Sequence, residues 1–120
     1  MPPPPPLANI GPVTHEHGVE PVVRDDPDNH RYVLEIGGEV AGIAVYHRRG
    51  GRYFFVHTEV EPGHEREGLG SVLVRAALDD VSAKGDKIVP LCPFVTAFIR
   101  RHPEYQQLID QPMLDRINQT

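Results

Sequence analysis

One stretch, from Phe55 to Pro93, restricts the folds open to this chain more than any other. Phe55-Val56-His57-Thr58-Glu59-Val60 is a run of aromatic and β-branched residues that reads as a strand. Glu65-Arg66-Glu67-Gly68-Leu69-Gly70-Ser71 follows as a glycine-bearing turn. Leu69, Val72, Leu73, Ala76, Ala77 and Val81 then recur at helical spacing, and Gly85 suits the cap that ends a helix. Lys87-Ile88-Val89-Pro90-Leu91-Cys92 reads as a second strand, closed by Pro93. A helix of this length between two strands makes a crossover, so the strands at 52–60 and 87–92 are expected to be parallel neighbours with a right-handed connection. Such a unit places its strand ends beside a helix start, where backbone N–H groups receive phosphates, and the lone cysteine falls at the same end. A Gly-x-Gly after a strand also serves helix-start geometry alone, so spacing by itself does not identify a phosphate ligand.

The residues before the crossover have another rhythm. Arg31 to Ile36 forms a short β-type run stopped by Gly37-Gly38, and Glu39 to His47 reads as its partner. Arg48-Arg49-Gly50-Gly51 makes a second turn into the strand at 52–60. The expectation is an α/β (α+β) fold: an antiparallel meander leading into a parallel βαβ pair, then a C-terminal helix from Phe94 to Arg101, ended by His102-Pro103. Residues 1–18 open with five consecutive prolines and lack a hydrophobic period, so they are expected to be a disordered proline-rich tail preceding a single domain over 19–120.

Composition narrows the function classes. A net charge of −5 over 120 residues disfavours a general nucleic-acid binder. One cysteine cannot make an internal disulfide, and no apolar run reaches the length of a membrane span. The reading is a cytoplasmic protein with no nucleic-acid or membrane partner and of open oligomeric state. His15 and His17, in a proline-rich segment, make a poor preorganised metal site, and no metal is expected.

Four segments, taken in order, carry a family resemblance: His57-Thr58-Glu59-Val60, Gly68-Leu69-Gly70, Pro90-Leu91-Cys92-Pro93-Phe94 and Arg101-His102-Pro103-Glu104-Tyr105. Over roughly residues 20–109 the chain resembles the GNAT acyl-CoA N-acyltransferase superfamily, in particular its very small members with a Pro-x-Cys segment. The resemblance implies a sheet that splays between the strands at 52–60 and 87–92, with the pantetheine arm of acetyl-CoA in the gap and no metal. It implies a cofactor site made of Val60, Glu65, Arg66, Glu67, Gly68, Leu69, Gly70 and Ser71. Glu65 departs from the superfamily pattern, which has Arg or Gln at this position; Arg66 stands one place later.

The activity implied is N-acetyltransfer from acetyl-CoA to an amine acceptor, the alternative being a CoA or acyl-CoA binding module without turnover. A neutral amine must attack the thioester, so a base is needed, and an acid for the departing thiolate. His57 is the candidate base and Cys92 the candidate acid or transient acyl acceptor. Each has a plainer alternative: Cys92 as a small buried filler, and His57, expected in phase with Phe55 and Glu59, as an outward strand residue. Tyr105 is a further possible proton donor to the thiol, or a packing ring.

Overall fold

Two Gly-Gly pairs fold the first half of the chain back on itself. Gly37 and Gly38 have φ of 60° and 84°, and Gly50 and Gly51 have 60° and 75°, the double positive φ of hairpin turns that side chains with a Cβ resist. The computed structural model describes residues 20–62 and 68–119. The first hairpin joins β2 (Arg31–Ile36) to β3 (Glu39–Arg49), and the second joins β3 to β4 (Arg52–Val60). A further strand, β1 (Val22–Asp26), pairs antiparallel with β2. It is absent from the expected meander because only Val22 and Val23 are apolar in it. A single 3₁₀ turn, Pro27–Asn29, makes the β1–β2 connection.

Helix α1 (Leu69–Ala83) then crosses over, and β5 (Lys87–Pro90) returns parallel to β4. The strand order is β1-β2-β3-β4-β5. The second strand of the crossover is shorter than 87–92: Cys92 is the N-cap of α2 (Pro93–Arg101), and Pro93 at the first helical position suits a helix start. His102 ends α2 as expected. Beyond it a 3₁₀ segment (Pro103–Leu108) leads to a parallel bridge from Ile109 to Ile88, and then to α3 (Gln111–Asn118).

The core lies between the sheet and α1. Leu69, Leu73, Val74, Ala77, Leu78 and Val81 meet Tyr32, Leu34, Ala44, Tyr46, Tyr53, Phe55 and Ile88, and α2 closes the end with Val95, Phe98 and Ile99. Val72, which fits the helical spacing, is 41% exposed, so the buried stripe runs through Val74 and Leu78 instead. No described helix is long and apolar enough to cross a membrane.

Two features of β4 position everything that follows. First, its pairing with β5 covers only Arg52 to Phe55, whereas the strand continues to Val60. Beyond that point the two strands part. Second, the β3–β4 register slips between Val45, opposite His57, and Tyr46, opposite Phe55, which leaves Val56 as an extra residue. A bulge of one residue reverses the in–out alternation of a strand.

Candidate functional site

The bulge decides which side chains face the core side of β4. Tyr53 and Phe55 are buried before it; after it Thr58 and Val60 are half-buried and His57 and Glu59 exposed. His57 therefore shares its phase with Glu59 but not with Phe55, contrary to an uninterrupted alternation. Its Nε2 lies 3.4 Å from Glu59 Oε1, on the sheet face away from α1.

The backbone of β4 follows the same logic. Phe55 O accepts the amides of both Leu91 and Cys92 at 3.0 Å, so it is turned toward β5. Past the bulge, Glu61 N donates to Ala41 O of β3 at 2.8 Å. Antiparallel pairing alternates, so Glu59 and His57 also direct their backbone groups at β3. The N–H and C=O of Thr58 and Val60 are left on the edge where β5 has departed.

That open edge borders a groove of about 390 Å³ lined by Thr58 and Val60 of β4, Gly68, Gly70 and Ser71 at the start of α1, and Phe94 and Arg101 of α2. Gly68 is the N-cap of α1 with φ 71°, a left-handed conformation, and no side chain among the described residues caps the helix. The first turn of α1 carries no acidic residue. Its free N–H groups and positive dipole end are therefore left for a ligand. Gly70 has a second task. A Cβ there would lie 2.4 Å from Phe94 Cζ, so the glycine lets the Phe94 ring rest on the helix start. Leu69 is buried in the core cluster and anchors the same turn.

Cys92 is buried behind the groove, its Sγ 3.4 Å from Thr58 Oγ1. Thr58 thus links the thiol to the groove wall. The Tyr105 hydroxyl is bonded to other groups than the thiol. It donates to Asp79 at 2.7 Å and receives Arg75 Nη1 at 3.1 Å, while the Tyr105 ring packs 5.6 Å from that of Phe98. Burial, and then the bond to Asp79, hold its pKa above the usual phenol value.

The site residues expected from the sequence thus separate into groups. Val60, Gly68, Gly70 and Ser71 come together at the groove, with Cys92 one side chain behind it. His57 lies across the sheet. Glu65, Arg66 and Glu67 lie outside the described residues, as does the tail expected at 1–18. Thr58, Phe94 and Arg101 line the groove without having been assigned a role there. Thr58 follows from Val60 by alternation, and Arg101 from Phe94 by the seven-residue repeat of one helix face. Among the described residues, no group of three or more His, Cys, Asp or Glu side chains could hold a metal ion.

A helix start facing strands that part is a geometry other proteins can be compared with. Residues 31–108 match the family model described as GCN5-related N-acetyl-transferase. The chain belongs to that family. The fold of this GCN5-related chain is similar to the solution structure of a Staphylococcus aureus protein described as a GCN5-like N-acetyltransferase. The TM-score is 0.57 at 16% identity, over 73% of this chain and 86% of that one. The Escherichia coli ribosomal-protein-S18-alanine N-acetyltransferase gives a TM-score of 0.47 at 21% identity, over 50% of this chain and 39% of that one. No curated protein matches the sequence.

Proposed function

We propose that this GCN5-related chain is an N-acetyltransferase that moves an acetyl group from acetyl-CoA to an amine. The observation that carries the reading is the groove at the divergence of β4 and β5, with the unpaired amides of Thr58 and Val60 on one wall and the uncapped start of α1 on the other. This is a fit for an elongated ligand with an amide-bearing arm and an anionic end. The open strand edge pairs with amides as another strand would, and the helix start accepts phosphate.

Acetyl-CoA, when bound, supplies the acetyl group as a thioester. The chain's own residues then have four tasks. Val60 N–H, on the open edge, is the donor for the carbonyl oxygen as it gains negative charge. Thr58 Oγ1 donates a hydrogen bond to the departing sulfur, which leaves as the thiolate and takes its proton from solvent. Cys92, buried behind Thr58, donates its S–H to Thr58 Oγ1 at 3.4 Å and so leaves the Thr58 proton free to turn toward the groove. His57, with Glu59 beside it, accepts the amine's proton from the face away from α1.

Calorimetric titration with acetyl-CoA and CoA, followed by an amine screen, tests the reading. Saturable binding of both, with amine-dependent release of CoA, is the expected result; no binding of either ligand refutes it. A second reading, a CoA-binding module without turnover, draws on the position of His57, because no His, Asp or Glu lines the groove among the described residues. Binding without release of CoA to any amine would favour it.

A further inference from the structure

The groove has one feature that the helix start and the strand edge do not explain. Arg101 lines it from the last turn of α2, and among the described residues no side chain pairs with its guanidinium. Arg24 pairs with Glu35, Arg31 with Asp26, Arg48 with Asp86, Arg52 with Asp110 and Arg75 with Tyr105, while Arg101, exposed like Arg49 and Arg100, is the arginine whose open side lies in the groove. An acidic chain of net charge −5 has thus kept one unpaired cation in a groove whose described lining holds no carboxylate.

Its placement on the helix is equally specific. Phe94 and Arg101 are seven residues apart and share one stripe of α2, separated by about 10 Å along the axis. Phe94 lies against Gly70, while Arg75, one turn further along α1, reaches Phe98 and His102, so the two helices run side by side in the same direction. Helical side chains lean toward their own N-terminus. Arg101 therefore leans back along the groove toward Ser71 and the amides at the start of α1. A guanidinium and an uncapped helix start converging on one channel is a combination suited to phosphate, which arginine binds in a bidentate manner.

We propose that Arg101 is a specificity-determining residue that binds a phosphate of the nucleotide end of CoA, opposite the α1 helix start. This rests on the acetyl-CoA reading above and adds to it a residue outside the glycine turn. It also gives α2 two jobs, holding Cys92 at its N-cap and the phosphate contact at its last turn.

The test is calorimetric titration of the full chain with CoA, with dephospho-CoA, which lacks the 3′-phosphate, and with phosphate-free pantetheine, at two salt concentrations. Arg101→Gln is expected to weaken CoA binding at least tenfold, to flatten its salt dependence and to leave pantetheine unaffected. Arg101→Lys should recover part of the loss. Arg100→Gln should not change it, because Arg100 lines a different cleft with Leu114 and Asn118. Equal losses for CoA and dephospho-CoA assign the contact to the diphosphate; a loss for CoA alone assigns it to the 3′-phosphate. Wild-type affinity for CoA in Arg101→Gln would overturn the proposal while leaving the acetyltransferase reading intact. A wild-type chain that binds no CoA would overturn both.

Discussion

Gly70 illustrates how one missing methyl can matter to a site without mattering to the fold. A Cβ at this position meets the far end of the Phe94 ring, which is 38% exposed and can swing outward. Alanine also favours a helix over glycine by about 1 kcal/mol. Gly70→Ala should therefore leave the melting temperature nearly unchanged, yet push Phe94 into the groove and weaken CoA binding. The double variant Gly70→Ala/Phe94→Ala should regain much of that affinity, a non-additivity read directly by calorimetry. Thr58 gives a complementary case. Thr58→Val keeps the shape but removes the hydroxyl next to Cys92 Sγ. It should lower kcat about tenfold or more with little change in CoA affinity, as expected for a group that stabilises the departing sulfur.

At the scale of elements, the clearest regularities were the ones readable from sequence. The two Gly-Gly turns, the α1 repeat closed by Gly85 and the break at His102-Pro103 each rest on local backbone chemistry, and each appears in the fold. What could not be read depends on partners. β1 exists because β2 offers it an edge, not because Val22-Val23-Arg24-Asp25-Asp26 is a strong strand former. The slip at Val56 is set by β3, and it moved His57 to the opposite face from Phe55. Within the site, the glycines were visible as a motif, but Thr58 and Arg101 became visible only once β4 and α2 were seen to share a groove.

The last element, α3, is attached by an identifiable clasp. Asp110 caps it by accepting from Met113 N at 3.1 Å, and the same side chain receives Arg52 Nε at 2.5 Å. Asp110→Ala removes both contacts and should lower stability by the loss of an N-cap. The loss should be concentrated in α3, as faster amide exchange over 111–118 with β2–β4 unaffected. Uniformly faster exchange throughout the sheet would contradict this picture.

For the whole molecule, a polar clasp at the back of the core ties α1 to the sheet. Tyr32 donates to Asp80 and Tyr46 to Asp25, each at 2.6 Å, and Lys84 Nζ bridges Asp25 at 2.9 Å and Asp80 at 2.8 Å. Burial works to raise the Asp80 pKa, but the hydrogen bonds from Lys84 and Tyr32 outweigh it and hold the carboxyl below its ordinary 3.8. Its contribution to stability is thus complete above about pH 4 and is lost as pH falls through the lower folded value. Burial first, and then the carboxylates, hold Tyr32 and Tyr46 above the ordinary 10.0. The hydrogen bond to Asp80 leads in raising Lys84 above 10.5. These contributions are complete below about pH 10 and fade above it, where the unfolded chain ionises first. A plateau in melting temperature between about pH 4 and 10 is expected, with Asp80→Asn lowering the plateau and flattening its acid arm. An acid arm as steep in Asp80→Asn as in wild type would show that another group controls it.

The parting of β4 from β5 has a kinetic meaning as well. Past Phe55 the edge of β4 is no longer paired with β5, with α1 and α2 on one side of it and the exposed His57 and Glu59 on the other. In the proposed reaction, the donor lies along the helix side of that edge and the acceptor approaches from the His57 side, so the two do not contest one position. Initial rates should then give intersecting rather than parallel double-reciprocal lines. CoA should compete with acetyl-CoA but not with the amine, and excess amine should not block the donor. The bulge at Val56 thereby assigns the two proposed reactants to opposite sides of the sheet as well as setting the direction of a side chain.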